Sequence, residues 1–371
     1  YSLAIYPATP TVTVTGGPFT YNGQGQAATA TAVGIDGVTP VSGAASFTYN
    51  GSSSTPVNAG TYAVVATFTP SDPNYSSSTA SGTLVINKAT PAFSNLASPT
   101  VNAGASTVTL SGHIAAGSAA PGGDDVAIVF NGITQPVSVR SSGSFSATFN
   151  IQGLATGTYP ITYEFLGDAT RFNAAGTGFA GGTLTVQAAP SILTSPVSQT
   201  VLSGSGVTFS ASAAGYPLPA VQWQVSTNGG ATYRNIAGAT STTLTLTSTT
   251  ASQNGYKYRA VFTNSVGSAT TTAATLTVQF APTVTTNPVN QSVTAGQTVT
   301  FTAAATGNPT PTVQWQVSTD GGATYSNIAG ATSTTLTLTS TTSSQNGYRY
   351  RAVFTNSVGS TTSTAAILTV L

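Results

Sequence analysis

Few residues of this chain could take part in chemistry. Its 371 residues include eight Lys or Arg, seven Asp or Glu, one His and no Cys. A nucleophile needs a base beside it, and His113 is the one imidazole available. It lies in LSGHIAAG, in a stretch expected to be a strand, with no acid nearby in sequence. A structural or solvent-facing role is expected for it. Without Cys there is no disulfide and no thiolate metal site. Four of the seven acids cluster between positions 124 and 168. Asp124 with Asp125, or Glu164 with Asp168, could each offer a calcium ion two oxygens, short of the several that must converge on it. The competing reading is turn chemistry, with Asp168 bonding its own backbone. No metal site, cofactor or catalytic residue is therefore assigned.

The cations are equally sparse. Lys257 and Arg259 fall on one face of an alternating segment, and Arg349 with Arg351 repeat them. With Tyr233 or Tyr325 nearby, such a face could bind glycans or acidic partners, or simply be solvated. Lys–Asn cross-links need an acid beside the Lys, and the segment around Lys257 has none. A net charge of +1 argues against nucleic acid, which needs clustered cations to displace counterions. It also disfavours an anionic membrane surface, and no apolar run approaches the ~20 residues of a membrane-spanning helix.

The elements that must carry these residues read as strands. Val221–Gly267 returns as Val313–Gly359, shifted by 92 residues, with four of 47 positions changed. That period is one small domain, so the chain is an array. Runs such as TVTVT (11–15), YAVVATF (62–68) and TLTLT (243–247) alternate with the period of a half-buried strand. Asn-Gly and Asp-Gly pairs between them suit tight hairpin turns. An apolar strand, a short connector and a Pro recur at 2–10, 83–91, 183–190 and 275–282, and ILTVL closes the chain. The expected fold is all-β: four Cys-free β-sandwiches at 10–89, 90–188, 189–280 and 281–371. The short connectors predict a semi-rigid rod on the order of 150 Å long.

The last two domains resemble the immunoglobulin-like domains repeated in bacterial secreted and surface proteins. The resemblance rests on VQWQ with Trp223 or Trp315, on STNGGATY or STDGGATY, and on NGYKYRAVFTNSVG or NGYRYRAVFTNSVG. It implies that Tyr256 and Tyr348 stand at the tyrosine corner of such sandwiches. It also implies that Tyr258 and Tyr350 replace one Cys of the usual disulfide, and Ala211 and Ala303 the other. The Tyr ring is then expected to fill the disulfide's volume against the Trp. Aromatic burial would offset part of the ~3–4 kcal/mol that the cross-link supplies. GTYPITYEFLGDATRFNAAGTGF (157–179) is similar to the ending of repeats common in large adhesins. PTVTVTGGPFTYNGQGQ (10–26) and NAGTYAVVATFTPSDPNY (58–75) resemble MBG-type surface repeats.

Residues 1–9 match the end of a domain with no domain ahead of them. Tyr1 is not a translation start, so the chain is expected to be processed or a piece of something longer. Tyr1, Ser2, Leu3, Ala4 and Ile5 then complete either an upstream domain or a neighbouring subunit by donor-strand exchange. The functional expectation is a non-enzymatic, extracellular bacterial stalk, fibre or adhesin segment. Its expected partners are copies of itself, neighbouring domains, or host and matrix glycans or proteins. The alternative is a set of glycan-binding or spacer modules of a larger secreted polysaccharide-active enzyme.

Overall fold

The computed structural model describes residues 4–176 and 180–371. The chain forms two compact units, Tyr1–Ala188 and Ala189–Leu371. Among the described residues the regular structure is strand, apart from two single 3-10 turns at Ala251–Gln253 and Ser343–Gln345. No helix among them is long and apolar enough to cross a membrane.

The apolar residues gather around five centres. The first unit holds one around Val64, Leu84 and Ile86 and a smaller one around Ala32, Val41 and Phe68. A larger one spans Ala89 to Val186. The second unit holds one around Trp223 and another around Trp315. Alternation explains how the strands face these centres. In Lys257–Thr263 every second residue is buried: Tyr258, Ala260 and Phe262 point in, while Lys257, Arg259 and Val261 lie on the other face.

One pairing recurs four times along the chain. A short early strand runs parallel to a late one: Phe19–Thr20 on Ser78–Asn87, and Thr100–Asn102 on Ala180–Thr194. Gln199–Leu202 lies on Ala274–Thr286 and Gln291–Val293 on Ala366–Val370 in the same way. Around Trp223 the sheet order is Gln199–Leu202, Ala274–Thr286, Lys257–Thr263, Ala220–Ser226, Arg234–Asn235. A second sheet of Val207–Ser210 and Thr243–Leu246 closes the sandwich.

One expectation needs correction. The segment read as the connector QFAP is no separate linker: Ala274–Thr286 is one strand, pairing with Lys257–Thr263 at one end and Ala304–Asn308 further on. Backbone pairing there satisfies donors that a free loop would give to water. At the other end of the chain, Tyr1, Ser2 and Leu3 lie outside the described residues. Ala4 and Ile5 carry no strand within this chain. Ile5 and Tyr6 are 85% and 84% exposed. The chain is first held at Ala8, whose N–H donates to Asn74 O at 2.8 Å.

Candidate functional site

The sequence-predicted core residues meet in the second unit. Trp223 and Ala260 are fully buried, and Ala211 and Tyr258 nearly so, in one cluster; Trp315, Ala303, Tyr350 and Ala352 repeat this. The indole N–H of Trp223 donates to Ser241 O at 2.9 Å, and that of Trp315 to Ser333 O at 2.8 Å. Neither ring buries an unmet donor. The ring partner of Tyr258 is one that sequence reasoning missed. Phe209 stacks on it at 5.0 Å and 24°, and Phe301 stacks on Tyr350 at 4.9 Å and 26°. Phe209 lies two residues before Ala211, on the same face of its strand. The signal was present in VTFS, but Ala211 alone was weighed. Burial pushes the Tyr258 and Tyr350 hydroxyls up to about 12, so both rings stay uncharged near neutrality. Tyr256 and Tyr348 are half-buried and pack against the rims of these cores.

The opposite face of the same sheet is polar. Register places Asn235 and Arg259 on either side of Gln224. Arg259 Nε donates to Gln224 Oε1 at 2.8 Å, and Gln224 Nε2 donates to Asn235 Oδ1 at 2.9 Å. The guanidinium carbon stands 3.8 Å from the centre of the Tyr233 ring. In the second copy, Arg351 stands 3.7 Å from Tyr325 and donates to Gln316 at 2.8 Å. Gln224 and Gln316 were not singled out from sequence, because a Gln beside a Trp carries no signal until register is known.

A bend buried at Ser226 brings Tyr233 back over this face. Ser226 Oγ donates to Asn228 Oδ1 at 2.8 Å and accepts from the Gly230 N–H at 2.9 Å. Gly230 has φ +101, and a Cβ there would lie 3.4 Å from Lys257 Cδ and 3.3 Å from Tyr233 Oη. Glycine thus permits both the turn and the approach of the second cation.

Asp168 Oδ1 accepts from the N–H groups of its own turn, Thr170 at 2.7 Å and Phe172 at 3.3 Å among them. Arg171 draws Asp124 and Asp168 together. Its Nη2 lies 2.6 Å from Asp124 Oδ2 and its Nε 2.9 Å from Asp168 Oδ2. The second is an ion-pair contact without hydrogen-bond alignment. Asp125 accepts from Ser138 Oγ at 2.7 Å. Glu164 sits opposite Ala127 in the sheet. No group of three or more His, Asp or Glu able to hold a metal converges among the described residues.

Burial acts to raise Asp168, but the N–H groups of Thr170, Arg171 and Phe172, with the Arg171 charge, hold it below the usual carboxylate range. Asp124 is pushed above that range by burial, which outweighs the attraction of Arg171.

His113 Nε2 lies 2.8 Å from Ser142 O, and Nδ1 lies 3.4 Å from Ser94 Oγ. A carbonyl can only accept, so Nε2 carries a proton toward Ser142 O. The imidazole is thus held between a loop carbonyl and the neighbouring strand.

The 167–173 segment also ties the first unit together. Ala59 N–H donates to Thr170 O at 2.7 Å, and Lys88 Nζ to Asp168 O at 2.6 Å. Tyr21 meets Phe172 edge-on at 5.1 Å.

Comparison with known proteins fits this architecture. Residues 10–90 match the MBG domain, 282–370 the immunoglobulin I-set domain, and 191–282 a domain of unknown function (DUF8696). Over 186 residues, 50% of its length, the chain is 44% identical to Endoglucanase C of Cellulomonas fimi, and it spans 16% of that protein. A variant structure of titin domains I67-I69 superimposes with a TM-score of 0.50 at 17% identity, over 76% of this chain and 99% of the other. The complex of Dpr2 Ig1-Ig2 with DIP-Theta Ig1-Ig3 gives 0.51 at 17% identity, over 76% and 100%. These two likenesses bear on fold alone. The chain carries an MBG domain match over residues 10–90 and an immunoglobulin I-set match over 282–370, and its fold is that of tandem immunoglobulin-like β-sandwiches.

Proposed function

We propose that this chain is a non-enzymatic run of extracellular modules that spaces and presents other parts of a larger bacterial polysaccharide-active protein. The observation that carries the reading is the 44% identity over 186 residues with a protein named Endoglucanase C. The junctions inside each unit support it. They are built from backbone and side-chain hydrogen bonds rather than left to Gly-rich linkers, which is what a spacer needs. The committed roles of His113 and of the Asp124–Arg171–Asp168 group support a non-enzymatic reading.

The test places the chain between a cellulase catalytic domain and a cellulose-binding module. Sugar release from insoluble cellulose is compared with a Gly/Ser linker of equal length. The spacer should raise release from the solid and leave hydrolysis of a soluble substrate unchanged. Release equal to that of the flexible linker, or hydrolysis by the chain alone, overturns the reading.

A second reading, a fibre subunit joined through its first strand, is favoured by the exposure of Ile5 and Tyr6 on a segment held only from Ala8 onward. Electron microscopy should then show fibres that vanish when residues 1–9 are deleted. Fibres unchanged by the deletion would sink it.

A further inference from the structure

Charge is unevenly divided along this chain. Residues 189–371 hold five of its eight cations and one of its seven anions. Among the described residues, the ion pairs are those of Arg171 alone. Lys257, Arg259, Arg349 and Arg351 are therefore without a carboxylate partner. The one acid of this unit, Asp320, is occupied within its own turn, by Thr324 and by Ser318 Oγ at 2.7 Å.

Two of these cations, Arg259 and Arg351, are nevertheless held in place. Arg259 is fixed by the Tyr233 ring on its flat side and by Gln224 at Nε, and Gln224 is fixed in turn by Asn235. The terminal Nη nitrogens of Arg259 have no acceptor among the described residues. Lys257 lies on the same face of the same strand, near the Tyr233 hydroxyl. A stack that merely stapled three strands together would need one cation. Here a second cation stands two residues away, where like charges repel. The same pairing recurs 92 residues on, with Arg349 for Lys257 and otherwise the same residues. A guanidinium already immobilised, with its donor edge unmet, loses little freedom on binding an anion. Its planar fork matches a carboxylate.

We propose that the two faces, Lys257–Arg259–Tyr233 and Arg349–Arg351–Tyr325, bind an acidic polysaccharide through the carboxylates of its uronic acid residues. A polymer of repeated carboxylates suits a face that is itself repeated, because two weak sites on one chain reinforce each other. The Tyr hydroxyls and the Asn235 and Asn327 amides would meet sugar hydroxyls. Choosing a polysaccharide rather than an acidic peptide rests on the proposed function above; the anionic specificity rests on the charges alone.

The test is affinity electrophoresis of the full chain in gels containing polygalacturonate, hydroxyethylcellulose or poly-glutamate. Polygalacturonate should retard the chain, and added salt should weaken the effect. Hydroxyethylcellulose and poly-glutamate should retard it much less. The double variant R259Q/R351Q should bind polygalacturonate about tenfold or more weakly. K257Q/R349Q, which leaves the Tyr stack and the Gln bonds in place, should lose about threefold to tenfold. R259K/R351K should fall between wild type and R259Q/R351Q, since charge survives and the fork does not. Thermal melts of each variant check that the sandwiches still fold. No retardation by polygalacturonate, equal retardation by poly-glutamate, or unchanged binding in K257Q/R349Q overturns the proposal. None of these outcomes bears on the spacer test, whose readout is hydrolysis of solid cellulose.

Discussion

The junctions within the two units solve the same problem with different chemistry. In the first unit, the segment around Asp168–Phe172 docks against Tyr21, Ala59 and Lys88. It uses an ammonium, a guanidinium, two carboxylates and an aromatic pair. In the second unit the equivalent work falls to neutral amides. Asn308 Nδ2 donates to Val278 O at 2.7 Å, and Asn356 Nδ2 reaches Phe280 O at 2.9 Å and Pro309 O at 2.8 Å. Gly307 lets Pro282 approach: a Cβ there would lie 3.3 Å from the Pro282 Cα. The first junction should therefore respond to pH and salt, and the second hardly at all. The difference also bears on charge. Where carboxylates and cations meet, they neutralise each other; in the second unit, cations are left for something else.

The largest expected effect sets the scale for this comparison. Tyr258→Ala removes a ring stacked inside one sandwich and should cost about 3–5 kcal/mol in urea unfolding. The two Trp residues both lie in the second unit, so their fluorescence reports that unit alone. A loss under about 1 kcal/mol would mean that the Tyr does not fill the place of a cross-link. Next, Phe172→Ala empties a fully buried position that touches both Tyr21 and Phe165. It should cost about 3–4 kcal/mol and speed hydrogen exchange at the Ala59 and Asn173 amides. Unchanged exchange at Ala59 would break the idea that this ring carries the junction.

Arg171→Gln leaves Asp124 and Asp168 facing each other and should cost about 1–2 kcal/mol, discounted for partial exposure. The cost should shrink as salt rises. Asn356→Ala removes one amide bond across the second junction, to Phe280 O, and one within its own domain, to Pro309 O, and should cost about 1 kcal/mol regardless of salt. Equal salt dependence in these two variants would erase the contrast between the junctions.

The smallest effect is the response to acid. Asp168 is held below its ordinary value, so its contribution is full above the unfolded carboxylate range and fades as pH falls through its folded value. Asp124 is raised, so its effect has the opposite sign: stability is lost as pH climbs through its folded value. The first junction should gain slightly on mild acidification and then weaken below about pH 4. Asp168→Asn should abolish the low-pH weakening, as read by exchange at Ala59. If the second junction weakened equally over that range, ionic chemistry would not be what separates them.

Much of this was open to reading along the chain. Alternation at Lys257–Thr263 announced which residues face inward, because a strand's period is two whatever surrounds it. The 92-residue repeat announced a domain, and VQWQ with NGYKYRAVF announced what kind. The partners were less legible. Phe209 and Tyr258 are 49 residues apart, and Asp124 and Arg171 are 47 apart; nothing local says that they touch. Acids close in sequence drew attention as candidate pairs, whereas Asp124 and Asp168 are joined through Arg171 across the fold. QFAP read as a linker because Pro follows a strand, yet backbone pairing on both sides carries the strand through it.

The sequence by itself determined the all-β class, the tandem arrangement, the scarcity of chemistry-bearing side chains and the surplus of cations toward the C-terminal end. These are properties of composition and local period, and they survive any choice of long-range partner. Tertiary structure alone decided which cations find a carboxylate. Sheet register sets Arg259 across from Gln224, the turn at Gly230 folds Tyr233 over it, and no acid is brought within reach. Arg171 has the same charge and meets two carboxylates, because pairing depends on where the strands and turns deliver each end.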